Sequence, residues 1–176
     1  MKKLLLAVVL FVTTIASAQK GSILLSGNVG FASEKIGDLK KEGFDFSPKV
    51  GYQFTNNWTA GVEGSIMNYK ESNTKRVEAY KIGAFTRYSL PLSELFSFYT
   101  DLGAGYQDTT LNDAKGMYAN ITPAIFINVK RGFGLNFSIG GAYYENLCGK
   151  GTPRQENIGF NFGKSFTLGI SKNFGL

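Results

Sequence analysis

From Phe96 onward the large residues fall on every second position. Phe96, Phe98, Thr100, Leu102, Ala104 and Tyr106 make one set, while Ser97, Tyr99, Asp101, Gly103, Gly105 and Gln107 make the other. A two-residue period places one set on each face of an extended strand. The period returns in Phe133, Leu135, Phe137, Ile139, Gly141 and Tyr143, which alternate with Gly134, Asn136, Ser138, Gly140, Ala142 and Tyr144. It comes back a third time in Phe166, Leu168, Ile170, Lys172 and Phe174. Each run is close to the ~9–11 residues with which a tilted strand crosses a bilayer. Few charges (18%), many aromatics (14%) and 22 glycines fit β structure and argue against a disordered or coiled-coil chain.

The first residues form a separate unit. Lys2 and Lys3 precede the apolar run Leu4 to Val12, and Ala16-Ser17-Ala18 closes it with small side chains. This reads as a secretory signal peptide over residues 1–18, with one domain over residues 19–176. The run is shorter than the roughly 20 residues of a membrane-spanning helix. The formal net charge is +6, and two of its cations belong to the leader. Such a mild excess on an exported chain implies no nucleic-acid partner.

Extended along the chain, the pattern predicts eight strands at about 22–33, 43–54, 58–70, 77–90, 96–107, 117–129, 133–145 and 158–174. Short connections at 55–57, 91–95 and 130–132 alternate with longer polar ones at 34–42, 71–76, 108–116 and 146–157. The expectation is an all-β, eight-stranded antiparallel transmembrane β-barrel with short periplasmic turns, longer extracellular loops and both termini in the periplasm. A soluble eight-stranded barrel would turn its apolar phase inward. Here eight strands leave an interior just wide enough to be filled by side chains, where the polar set can pack as paired charges, while the aromatic set cannot face water. The polar phase supplies Lys49, Glu63, Lys81, Arg87 and Asp101 as an expected interior charge network, with Asp45 as a further interior acid.

Pro48 and Pro123 fall inside expected strands, where a closed barrel has no free edge to excuse a missing N–H. The segment Phe46-Ser47-Pro48-Lys49-Val50-Gly51-Tyr52, followed by Thr55-Asn56-Asn57-Trp58-Thr59-Ala60-Gly61, resembles the P-x-x-G-Y-F-x-T-D-N-x-A-x-G hairpin of the small outer-membrane β-barrel family, the OmpA/OmpX-like barrel domain of Bacteroidetes-type bacteria. Ile121-Thr122-Pro123 through Gly140 repeats the hairpin in weaker form. Phe85-Thr86-Arg87-Tyr88 and Asp101-Leu102-Gly103-Ala104-Gly105-Tyr106 are similar to the family's F-x-R-Y and G-x-G-Y strands. The resemblance implies a bacterial outer-membrane location, with outer-membrane lipid and lipopolysaccharide as surroundings. It also implies a final strand read by the barrel-assembly machinery, with Phe174 as the anchor of that signal. Lys172 stands where the family has an aromatic, and Gly175-Leu176 follow the phenylalanine. The family's larger members carry a peptidoglycan-binding domain after the barrel, and no such role is expected of a chain ending at Leu176.

Small barrels of this kind include acyltransferases, deacylases, phospholipases and proteases, which rely on histidine as a base or its orienter. This chain has no histidine. No catalytic residues, no cofactor and no metal site are therefore expected. The lone Cys148 lies in the longest expected loop, where it has no partner for an intrachain disulfide and makes no zinc site by itself. The expected function is a structural or surface-interaction role, in adhesion or envelope integrity, around a plugged polar interior. The surface ligand stays open, and the alternative is a narrow pore or small-ligand carrier.

Overall fold

The computed structural model describes residues 21–36, 39–72, 75–151 and 153–175, so the leader expected at 1–18 lies outside the described residues. Eight strands follow one another: β1 (Ser22–Ile36), β2 (Leu39–Gln53), β3 (Trp58–Glu71), β4 (Val77–Pro91), β5 (Phe96–Thr109), β6 (Ala114–Lys130), β7 (Phe133–Cys148) and β8 (Gln155–Gly175). Each pairs antiparallel with the next, and β8 returns to β1 to close the barrel. The start of β1, the end of β8 and the turns at 54–57, 92–95 and 131–132 lie at one end, here called the base; the opposite end is the rim.

All the expected strands form, but they run further toward the rim than the apolar pattern does. β1 and β2 continue to Ile36 and Leu39, β5 to Thr109 and β7 to Cys148, with one 3-10 turn at Leu111–Asp113. Much of what was expected as long polar loop is therefore paired strand. The reason is that a ladder set in register extends by backbone hydrogen bonds alone, whatever the polarity of its side chains. At the base, side-chain oxygens close the turns. Thr55 Oγ1 accepts from the Trp58 N–H at 2.9 Å, and Ser93 Oγ accepts from the Phe96 N–H at 3.0 Å.

The two faces are inverted relative to a water-soluble barrel. Val62 and Ile82 on the outside are 61% and 69% exposed, whereas Arg87 and Asp101 on the inside are 6% and 3% exposed. An apolar ring around a closed sheet, with no unpaired strand edge across most of its girth, is the arrangement a bilayer requires. Leu24, Phe85, Tyr99 and Tyr118 also point inward, where they are buried and fill the lumen beside the charges.

One irregularity changes which residues face inward. Gly140 has φ +111°, a conformation that side chains with a Cβ rarely adopt. Pairing of β6 with β7 passes from Ile121↔Ala142 to Ala124↔Ser138, so β7 spends one more residue than β6 there. This β-bulge reverses the phase of β7. Gly141 and Tyr143, expected on the outward face with Phe137, lie on the inward one, while Ala142 and Tyr144 pair beside outward-facing Ile121 and Ile158. Glu145 moves inward with Tyr143.

The prolines fit for a related reason. Pairing of β2 with β3 skips Ser47 and Pro48, and a Ser47 Oγ to Ser65 Oγ hydrogen bond of 3.1 Å bridges the gap. Pro123 sits inside the Ile121–Ala124 interruption. Each missing N–H thus falls where the ladder is already open.

Gly140→Val forces a β-branched residue into positive φ, at a cost of roughly 1–3 kcal/mol. The expected outcome is a lower folded fraction, read as loss of the heat-sensitive fast-migrating band on gels, and unchanged migration would remove the bulge as a determinant of the fold.

Candidate functional site

The interior charges are set first by register. Lys49 lies directly opposite Glu63 on β2 and β3, and Arg87 directly opposite Asp101 on β4 and β5. Opposite positions on one face place side chains within contact distance. Lys49 Nζ is 2.8 Å from Glu63 Oε2, and Arg87 grips Asp101 through Nε at 2.7 Å and Nη2 at 3.0 Å. Two-point pairing of guanidinium with carboxylate is the strong form of this interaction.

Closure of the sheet then links the pairs across the lumen. Lys49 Nζ donates to Asp101 Oδ2 at 2.9 Å, joining β2 to β5. Tyr118 Oη donates to Glu63 Oε1 at 2.9 Å. Aromatic faces meet the cations: the Arg87 guanidinium lies 3.7 Å from the Tyr99 ring centroid, and Lys49 Nζ lies 5.0 Å from that of Phe85. Two cations and two carboxylates make this cluster neutral. Gly103 makes room for it, since a Cβ there would stand 2.4 Å from Glu63 Oε1. Beside it, Asn120 Oδ1 is buried with no hydrogen-bond partner among the described residues.

Lys81, expected in the same network, stands apart from it. Its Nζ reaches Glu145 Oε1 at 2.5 Å and lies 5.3 Å from the Tyr118 ring centroid. Sequence reasoning missed Glu145, because unbroken alternation from Phe133 puts residue 145 on the lipid side; the glycine pair Gly140-Gly141 was the available signal for a bulge. Asp45, expected to have a cation beside it, is in no ion pair among the described residues and instead lies over Gly30.

Nearer the base, Asn136 connects Ser26 and Ser171 behind the β1–β8 seam through hydrogen bonds of 3.4 Å each. A cavity of only about 40 Å³ remains between this group and Arg87 and Asp101. Phe174 faces outward opposite Ile23. Lys172, the departure from an aromatic at that position, turns its head to the base, where Nζ donates to the Arg131 carbonyl at 2.6 Å. Cys148 is exposed at the end of β7 opposite Lys115, in strand where a loop was expected. Among the described residues no group of acids and cysteine is placed to hold a metal ion.

No protein-family model and no curated protein matches the chain. Solved structures do. Neisserial surface protein A (NspA) superposes with a TM-score of 0.50 at 11% identity, over 89% of this chain and 94% of that one. The outer membrane protein OprG from Pseudomonas aeruginosa gives 0.47 at 10% identity, over 88% and 93%. PagL, described as an outer membrane enzyme, gives 0.43 at 9% identity, over 86% and 98%. The chain thus has the fold of the small eight-stranded outer-membrane barrels.

Removing one partner of a buried pair leaves the other charge uncompensated, at roughly 3–5 kcal/mol for a dry pair. Arg87→Ala is therefore expected to lower the melting temperature in detergent well below that of the exposed change Lys75→Ala, and equal shifts would take Arg87 out of the network. Gly103→Ala adds one methyl against a carboxylate tied to both Lys49 and Tyr118. Overpacking of this kind costs about 1–3 kcal/mol, and calorimetry should show that loss although no charge is altered.

Proposed function

We propose that this barrel is an integral outer-membrane protein with a structural or surface-interaction role, in adhesion or envelope integrity, and that its polar interior is plugged. The observation that carries the reading is the neutral charge cluster tied across the lumen from Lys49 to Asp101 at 2.9 Å. A packed and internally paired lumen gives a solute no continuous wet path. The ion pairs also engage Glu63, Asp101 and Glu145 and leave them unsuited to acid–base work, so the protein is not an enzyme in this reading.

In the cell, the signal peptide at 1–18 directs export, the base faces the periplasm and the rim faces outward. Lipid and lipopolysaccharide surround the belt. The assembly machinery reads β8, with Phe174 as the anchor. Surface contacts then fall to the rim, where Asp113 and Lys150 meet at 3.1 Å between the β5–β6 and β7–β8 connections.

Epitope tags after Asp113 or Gly151 are expected to bind antibody on intact cells, and tags after Asn56 or Arg131 only after permeabilisation; the reverse pattern would invert the topology. Planar bilayers containing the wild-type barrel are expected to show no steady porin-like conductance, and a large stable current would overturn the plugged interior. For Phe174→Ser, export is expected to proceed while folded barrel in the outer membrane falls. Normal membrane levels of that variant would end the assembly role of Phe174.

A further inference from the structure

Above Lys81 the inward side chains turn from charged to apolar, and register sets them in two rows. The lower row runs Gly30–Asp45–Met67–Ala79 across β1 to β4, and the upper row runs Gly43–Tyr69–Val77 across β2 to β4. Gly30, Gly43 and Ala79 leave space there. Nearer the base on the same inward phase, Phe85, Tyr99 and Tyr118 are 3–6% exposed, whereas Met67 and Tyr69 are 47% and 44% exposed. They border a cavity of about 400 Å³, ten times the volume left beside Arg87. That volume lies in the range of small-ligand sites, roughly 300–1,000 Å³. The floor is closed one row below, where Ser47 is bonded to Ser65 at 3.1 Å and Lys81 reaches across to Glu145. The cup is therefore entered from the rim side.

One charge in this wall has no counterpart. Asp45 lines the cavity, half-buried, and is in no ion pair among the described residues. Its carboxylate lies over Gly30, where a Cβ would collide with Oδ2, so the glycine opposite is what gives the acid its place. The other charges nearest to it on the inward phase are matched: Lys81 with Glu145 below, and Lys41 with Glu71 at 3.5 Å above. Lys40, Glu42, Lys70 and Arg76 group together behind the sheet, on its outward face. Among the described side chains, Asp45 is thus a single unmatched anion set in an apolar wall.

The walls decide what kind of cation can answer it. A hard metal ion needs about six or more oxygen ligands, and no group of acids is placed to hold one among the described residues. An ammonium that keeps its N–H groups would leave donors unsatisfied against Met67, Val77 and Ala79. A quaternary ammonium has no donors to lose and brings apolar surface of its own. Tyr69 is the diagonal neighbour of Asp45, at the roughly 7–8 Å of such positions. A cation between the two meets the carboxylate on one side and the aromatic ring on the other.

We propose that this cup binds a small organic cation, a quaternary ammonium with an apolar or aromatic arm. The ammonium sits at Asp45, and the arm lies against Met67, Tyr69, Val77 and Ala79. Every residue in the site faces the lumen, so the occupant stays on one side of the sheet. The site goes beyond the structural role proposed above and does not rest on it: the plugged part of the lumen lies below the cup, and a conductance that overturned the plug would leave the cup standing.

The test titrates benzyltrimethylammonium into the folded barrel in maltoside micelles, which carry no choline head group, and follows the heat by calorimetry. Saturable binding at one site per barrel is expected. Asp45→Asn, which removes the charge and keeps the shape, and Ala79→Trp, which fills the cup, are each expected to weaken binding by about tenfold or more. Glu42→Gln, on the outward face, is expected to bind as the wild type does. Tetramethylammonium, which has the charge without the arm, is expected to bind about tenfold or more weakly than benzyltrimethylammonium. Gel migration with and without heating verifies that each variant is folded, and Asp45→Asn decides the matter if Ala79→Trp does not fold. Absence of saturable binding, wild-type affinity in folded Asp45→Asn, or an equal loss in Glu42→Gln would overturn the proposal. Equal affinity for the two cations would overturn it as well, since the apolar walls would then contribute nothing.

Discussion

Every backbone N–H and C=O within hydrocarbon must find its partner inside the protein, and the rest of this structure follows from that demand. It makes the sheet close, with β8 returning to pair with β1. Among the described residues the seam is the shortest of the pairings, from Ser22 to Asn28, and it is backed by the Ser26–Asn136–Ser171 group. The bulges at Gly140 and the break at Pro123 lie on β6 and β7, close to that seam in the order of strands. Irregularity is thus gathered where the barrel is joined to itself.

Closure also decides the energetics of the interior. A charge placed in so narrow a lumen loses much of its water and must be paired. Arg87 with Asp101 and Lys49 with Glu63 pair because register puts them opposite one another. The bonds from Lys49 to Asp101 and from Lys81 to Glu145 differ in kind, because each joins strands that are not neighbours. These transverse links tie opposite walls together, so the cluster acts on the shape of the barrel as well as on its own neutrality. Above Lys81 the interior residues become Ala79, Val77, Met67 and Tyr69, no transverse ion pair is present among the described residues, and the lumen opens.

Much of the fold was legible because a two-residue period has only one reading over runs this long. The outward set of β5, from Phe96 to Tyr106, and the inward set with Tyr99 and Asp101 lie as the alternation demands. Of the expected network, Lys49, Glu63, Arg87 and Asp101 come together, and Lys81 lies inside with a different partner. Asp45 was misjudged because face alone does not give height along the barrel: it sits at the level of Met67, above the cations. Glu145 was missed because alternation carries no record of a bulge. The rim strands were read as loops because polar residues hide a ladder that depends on backbone alone.

By itself, the sequence determined that the chain forms strands, which side chains face lipid over most of them, and that charges of both signs share the inside. Those features are local, since they depend on residues two apart on one strand. Which carboxylate meets which cation, where the lumen is filled and where it opens, and how far the seam extends were decided only in the closed barrel. They depend on closure of the sheet, which brings residues 52 positions apart into contact, and on the bulge at Gly140, which turns Glu145 inward to meet a residue 64 positions away. No local pattern holds that information, because the distance across the lumen exists only once β8 has paired with β1.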